Sequence, residues 1–261
     1  IGGILRELSE DESNGFLCSC TRDPEDGEVL NLALFIRDQG DIFMSHSLAD
    51  RNYLFSRSAD GVELDRFKTV LVPGEWHRRR VLKSPHLSIE YSRVLIVGHP
   101  RIDYLRAVQA QQAPLPPLPD GRLRILYAPA HSKHGRRGIS HVSSDPDFFD
   151  YCDELGLRHE LTTVRHPRER KGLGCDKSAV ESQLIGCDVV ITDVSSVMYE
   201  AWALGKPVIF PRWVLGDSVV TRYPGSAEAH IHVQRIGYHA DSFEDLCAIL
   251  AEGPQISGSN K

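Results

Sequence analysis

The stretch CDVVITDVSSVMYEAWALGKPVIF, Cys187 to Phe210, restricts the fold of this chain more than any other. Val189, Val190 and Ile191 form an unbroken β-branched run, the pattern of a central strand buried on both faces of a parallel sheet. After Asp193 the period changes: Val197, Ala201 and Leu204 recur at three and four residues, which predicts an amphipathic helix beginning near Ser195. Gly205 ends it, and Pro207 to Phe210 starts the next strand. Ser195 and Ser196 therefore stand on a strand-to-helix turn.

Two readings of that turn stay open on local grounds. One serine can be an N-cap, its hydroxyl accepting from an unpaired backbone N–H of the first turn. Alternatively, the turn lies at the carboxyl edge of a parallel sheet, where free N–H groups, the helix dipole and two hydroxyls suit an anion. Glu200 follows Ser196 by one helical turn on the same face. A carboxylate there is either a solvated surface acid or an acceptor for ribose hydroxyls.

The rest of the chain agrees with an α/β architecture. Leu30 to Ile36 is apolar, and Asp41–Met44, Thr69–Val72 and Arg93–Val97 read as strands, each ending in a polar or glycine turn. Ala110 to Arg122, AQQAPLPPLPDGR, reads as a stiff Pro-rich linker and domain boundary. Beyond it Leu123–Tyr127 and Leu161–Val164 are strands, and Asp147–Leu155, Ser178–Ile185 and Ser242–Leu250 are helices. That alternation predicts a parallel, doubly wound sheet. The expected organisation is a poorly ordered leading segment (1–28), an α/β domain (29–109), the linker (110–122) and a second α/β domain (123–261).

With 261 residues, 41% of them hydrophobic, the chain is long enough for two modest domains. A formal net charge of −6 argues against a nucleic-acid groove as the main function. Arg78–Arg79–Arg80 and Arg136–Arg137 nevertheless leave room for a small anionic ligand or an anionic surface. No apolar run reaches the roughly 18 residues of a membrane span, and no signal peptide is visible.

The six cysteines, at 18, 20, 152, 175, 187 and 247, lack CxxC pairs and read as reduced thiols. His131 and His134 flank Lys133 in a loop, and His230 and His232 are expected on one face of a strand, but neither pair has a third metal ligand nearby. Asp145–Pro146–Asp147 has the outline of a metal-binding DxD and reads as a helix cap. The absence of GxGxxG and GxxxxGK[ST] argues against a dinucleotide dehydrogenase and a P-loop NTPase.

Four stretches together resemble the CDP-glycerol glycerophosphotransferase family, cytoplasmic enzymes that build teichoic-acid and related capsule polymers. They are SHSLADRNY from Ser45, VGHPRIDYL from Val97, LYAPAHSKHG from Leu126 and DVVITDVSSVMYEAWALGKPVIF from Asp188. The resemblance implies a GT-B architecture, two Rossmann-like domains with parallel sheets facing a cleft, the N-terminal one short here. It implies that Ser195 and Ser196 hold the nucleotide diphosphate, that Glu200 meets the ribose, and that Ala128 and Pro129 line the nucleotide site. His46 matches the family's first histidine and is implied as the general base, although the following glycine is Ser47 and the family lysine is Arg51. His166, with Arg165 as a helper, is implied at the phosphates, while Arg51 and Arg101 are implied on the acceptor side.

On this reading the acceptor hydroxyl attacks the β-phosphorus of CDP-glycerol or a related CDP-polyol and releases CMP. The acceptor is a polyol-phosphate polymer, a glycan or a glycolipid, with no nucleic-acid partner and no certain cofactor or metal. The expected location is cytoplasmic, with peripheral association at the inner face of the plasma membrane as an option. The aromatic-rich segment that family members carry after the PVIF strand is not evident in this chain. Two alternatives remain on the residues alone: a nucleotide-sugar glycosyltransferase or epimerase of the same architecture, and a nucleotide-binding module without turnover.

Overall fold

A computed structural model of the chain describes residues 31–36, 38–45, 47–49, 57–58, 61–85, 87–130, 148–164, 177–215 and 218–256. The expected leading segment 1–28, the His131/His134 loop and Asp145–Asp147 lie outside these residues. Two compact units are formed, Ile1–Tyr104 and Leu105–Lys261.

The first unit contains β1 (Leu32–Ala33), β2 (Ile42–Met44), a short antiparallel pair β3 (Arg57–Ser58) and β4 (Gly61–Val62), β5 (Thr69–Val72), α1 (Glu75–Lys83), β6 (Val94–Ile96) and the start of α2 (Pro100–Ala110). Among the described residues its main sheet is parallel, in the order β1-β2-β5-β6. Phe43, Val70 and Val94 stand in register across β2, β5 and β6, so period-two alternation puts them on one face. That face is buried with Leu64, Phe67 and Val81 of α1. Helix α1 escapes a reading of apolar periodicity because EWHRRRVLK is mostly charged. Its Glu75 forms ion pairs with Arg78 and Arg79, three and four residues on.

The boundary between the units falls within α2, several residues before the Pro-rich stretch that sequence suggested. The reason is that this stretch is tied to the second unit. Arg124 donates to the carbonyl of Pro116 at 2.8 Å. The second half of α2 is anchored there as well, through Arg106 Nε to the Ala203 carbonyl (3.1 Å) and Gln109 Nε2 to the Leu204 carbonyl (3.2 Å).

The second unit runs β7 (Arg124–Tyr127), α3 (Phe148–Arg158), β8 (Glu160–Thr163), α4 (Lys177–Gly186), β9 (Val189–Ile191), α5 (Val197–Ala203), β10 (Val208–Pro211), α6 (Arg212–Leu215), α7 (Ser218–Arg222), α8 (Ala227–Gln234), β11 (Tyr238–Ala240) and α9 (Phe243–Glu252). Its sheet is parallel in the order β11-β10-β9-β7-β8. Counted from the β8 edge, the strands follow the doubly wound order 2-1-3-4-5. The chain's direction of winding therefore reverses between β7 and β9, which makes the carboxyl ends of these strands the topological switch point of the sheet. Ile125, Tyr127, Val189, Ile191 and Ile209 pack with Phe243, Leu246 and Leu250 of α9 on one face of this sheet.

One expectation is overturned. His230 and His232 do not share a strand face: both lie in α8, with His232 buried and His230 exposed. The helix is capped by Ser226, whose Oγ accepts from the Ala229 N–H at 3.0 Å. Among the described residues no group of three or more His, Cys, Asp or Glu side chains is arranged to hold a metal ion. The described cysteines Cys152, Cys187 and Cys247 are free thiols, and burial pushes Cys187 up to about 12. No described helix is long and apolar enough to cross a membrane.

Candidate functional site

The switch point of the second unit is built by two segments that leave neighbouring strands together. Tyr127 of β7 pairs with Ile191 of β9, and the ladder continues past the strand ends through the Ala128 N–H to the Ile191 carbonyl at 2.9 Å. Thr192 Oγ1 donates to the Ala128 carbonyl at 2.6 Å. Asp193 Oδ1 accepts from the N–H groups of Ala130 (2.8 Å) and Val194 (2.6 Å). Thr192, Asp193 and Val194 are all buried, so this zipper is made away from water, where each bond is expensive to break. Its consequence is a fixed path for Ala128–Pro129–Ala130 on one side and Ser195–Ser196 on the other.

Helix α5 starts directly from this zipper. The Ser195 and Ser196 carbonyls accept from the Met198 and Tyr199 N–H groups, at 3.2 and 3.1 Å, in the tight three-residue pattern of a helix start. Neither serine is a strong cap. Ser196 has helical dihedrals and makes no side-chain capping bond, and Ser195 Oγ stands 3.5 Å from the Val197 nitrogen, the outer limit of a hydrogen bond. Both are half-buried, with hydroxyls at the helix start.

The C-terminal end of α5 is as expected. Gly205 adopts φ of +74°. Its N–H reaches the Trp202 carbonyl at 3.0 Å and that of Lys206 the Ala201 carbonyl at 2.9 Å, a Schellman closure. Glu200 lies on α5 one turn beyond Ser196 and is half-buried.

Sequence reasoning missed Glu228. This carboxylate is fully buried on α8 and accepts from the Tyr199 hydroxyl at 3.0 Å, which ties α8 to the helix that follows the serines. Nearby, His232 and His239 pack against Phe210 with ring centroids 5.1 and 4.8 Å away. His239 donates from Nε2 to the Ile236 carbonyl at 3.0 Å, and burial pushes it down to about 4.

In the first unit, Ser45 follows β2 and is buried, and Arg101 lies half-buried in the first turn of α2. His46, Arg51, Arg165 and His166 lie outside the described residues. The structure thus places Ala128, Pro129, Ser195 and Ser196 on the two segments that leave β7 and β9 together, with Glu200 one turn along α5. It also places Arg101 at the carboxyl end of β6.

A family model described as CDP-Glycerol:Poly(glycerophosphate) glycerophosphotransferase matches residues 62–215 of the chain, more than half of its length. No curated protein matches it in sequence. Among solved structures, the wall teichoic acid polymerase TagF is similar, at 18% identity and a TM-score of 0.52, over 80% of this chain and 57% of that one. A histidine-to-alanine variant of TagF aligns at 18% identity and a TM-score of 0.44, over 71% of this chain and 52% of that one. The chain thus spans a little over half the length of the solved polymerase. At this identity the first likeness establishes the fold, an α/β class of GT-B-like kind with parallel sheets.

Proposed function

The chain belongs to the CDP-glycerol:poly(glycerophosphate) glycerophosphotransferase family, and on that premise we propose that it transfers glycerol phosphate from CDP-glycerol to a hydroxyl of a polyol-phosphate acceptor. The observation that carries the nucleotide assignment is the switch point itself. The carboxyl edge between β7 and β9 is where open parallel sheets bind phosphorylated ligands, and it carries two serines at a helix start. Ser195 and Ser196 would donate to the diphosphate, the backbone of Ala128 and Pro129 would face the nucleoside, and Glu200 would accept from the ribose.

In the reaction we propose, His46 takes the proton from the acceptor hydroxyl as its oxygen attacks the β-phosphorus. The bond from that phosphorus to the bridging oxygen breaks, a phosphodiester forms, and CMP departs with the bridging oxygen. His166, with Arg165 beside it in sequence, would neutralise charge gathering on the phosphoryl oxygens. Arg51 and Arg101 would meet the anionic acceptor. A nucleotide-activated donor places the reaction in the cytoplasm, and a lipid-linked acceptor would bring the protein to the inner face of the plasma membrane.

Calorimetric titration with CDP, CMP, UDP and inorganic pyrophosphate tests the nucleotide site. Tight binding selective for CDP supports the reading. Equal affinity for CDP and UDP favours a nucleotide-sugar enzyme instead.

A further inference from the structure

Two imidazoles from different elements grip one loop in the first unit. His77, on α1, has Nε2 3.3 Å from the carbonyl oxygen of Leu48. A carbonyl can only accept, so the ring donates from Nε2. His99, between β6 and α2, is hydrogen-bonded to the backbone of Ser45, and its Nδ1 is buried without a partner. Its donor is therefore also Nε2.

The two acceptors bracket the turn that follows β2. Ser45 and Leu48 are buried, Ala49 is fully buried, and the Ser47 N–H closes the turn onto Ser45 Oγ at 3.3 Å. The residue between Ser45 and Ser47 is His46. Ser45 and Leu48, which stand on either side of His46 in the sequence, are thus held by side chains that belong to two other segments.

Burial, and after it the proximity of His77, lower the His99 pKa from its ordinary value, which favours the neutral ring with a single N–H to give. A neutral ring also fixes which nitrogen carries the proton. Among the described residues the core face of the unit is carried by Phe43, Leu64, Phe67, Val70, Val81 and Val94, and neither histidine belongs to it.

We infer that His77 and His99 are positioning residues, a pair of Nε2–H donors that clamp the Ser45 and Leu48 carbonyls and so fix the residues that flank His46 in the sequence. The inference rests on the proposed role of His46 as general base. Misplacing a catalytic group by about 1 Å costs on the order of 100-fold in rate, so the clamp acts through geometry and leaves donor binding alone.

The test compares His77→Gln and His99→Gln, which keep an N–H donor at the reach of Nε2, with His77→Met and His99→Met, which keep length without a donor. Each Met variant is expected to lower kcat for CMP release from CDP-glycerol about 10- to 100-fold with the KM for CDP-glycerol unchanged, and each Gln variant to stay within about threefold of the native rate. Amide hydrogen exchange at Ser47, Leu48 and Ala49 is expected to speed up in the Met variants and not in the Gln variants. Nitrogen-15 spectra of the native protein need neither a variant nor activity, and should show a proton on Nε2 of both rings.

An Nδ1–H tautomer on either ring, or native exchange in folded Met variants, overturns the clamp. Native kcat in Met variants with faster exchange overturns its positioning role. A native protein that releases no CMP would refute the proposed function, while the tautomers and exchange rates would still decide whether the clamp exists.

Discussion

The backbone N–H of Ala130 donates to Asp193 Oδ1 at 2.8 Å, a bond that joins the segments leaving β7 and β9 across the switch point of the second sheet. The same oxygen accepts from the Val194 N–H, so one buried carboxylate organises both walls of the candidate nucleotide site. Asp193→Ala leaves two buried N–H groups without an acceptor and should cost about 3 kcal/mol of stability. Asp193→Asn retains a carbonyl oxygen and should cost less. Urea denaturation of both variants checks the order, and equal losses would remove the acceptor role.

The serines contribute little to the fold, and in the proposed site they act on the ligand. Because neither makes a strong capping bond, Ser195→Ala with Ser196→Ala should leave the melting temperature within about 1 °C, below the roughly 2–4 °C shift from losing a full cap of about 1 kcal/mol. CDP affinity should fall by about 1–3 kcal/mol, the range for hydrogen bonds to a charged group. Calorimetry on the folded double variant decides this, and unchanged CDP affinity excludes a phosphate contact.

Glu200→Gln should weaken CDP more than inorganic pyrophosphate, because a ribose contact is irrelevant to a ligand without ribose. Parallel titrations with the two ligands measure the difference. Equal losses would assign Glu200 a structural role in α5.

The His239 environment predicts a dependence on pH. The folded pKa, about 4, lies below the ordinary 6.5, so the unfolded chain binds a proton across that window and the folded chain does not. Stability is therefore fully present above about pH 6.5 and declines as pH falls toward 4. Arg235 and Arg212 oppose protonation and Asp241 favours it, but burial is the largest cause. His99 and His159 are also held below their ordinary range, so the contribution of His239 must be isolated. His239→Gln keeps a donor for the Ile236 carbonyl and removes the titration. Melting temperatures from pH 7 to 4.5 should fall less steeply for this variant than for the native chain, and parallel curves would refute the assignment.

Much of the second unit was legible because local signals agreed with the final packing. The β-branched run of β9, the 3-4 spacing of α5 and the glycine at its end all point to one answer, and Gly205 closes the helix at the expected place. Helix α8 was hidden by a misleading period: Ala229, Ile231 and Val233 alternate with His230 and His232, which imitates a strand. The burial of Ala227, Glu228, Ala229, Ile231 and His232 follows a helical face instead, and two of these five residues are polar. Helix α1 was hidden by charge, since its only buried residue is Val81. For the candidate site, the sequence located the strand-to-helix turn that carries Ser195 and Ser196 and the helix that carries Glu200. It missed the Tyr199–Glu228 bond, because a buried acid on an unrecognised helix carries no local signature.

The most direct test follows one phosphorus atom. CDP-glycerol labelled at the β-phosphorus is incubated with the chain and a poly(glycerol phosphate) acceptor, and polymer and nucleotide products are separated. The account predicts labelled polymer together with an equal amount of unlabelled CMP, since the bond broken lies between the β-phosphorus and the bridging oxygen. Labelled CDP beside an unlabelled, glycerol-extended polymer would show attack at carbon and contradict it.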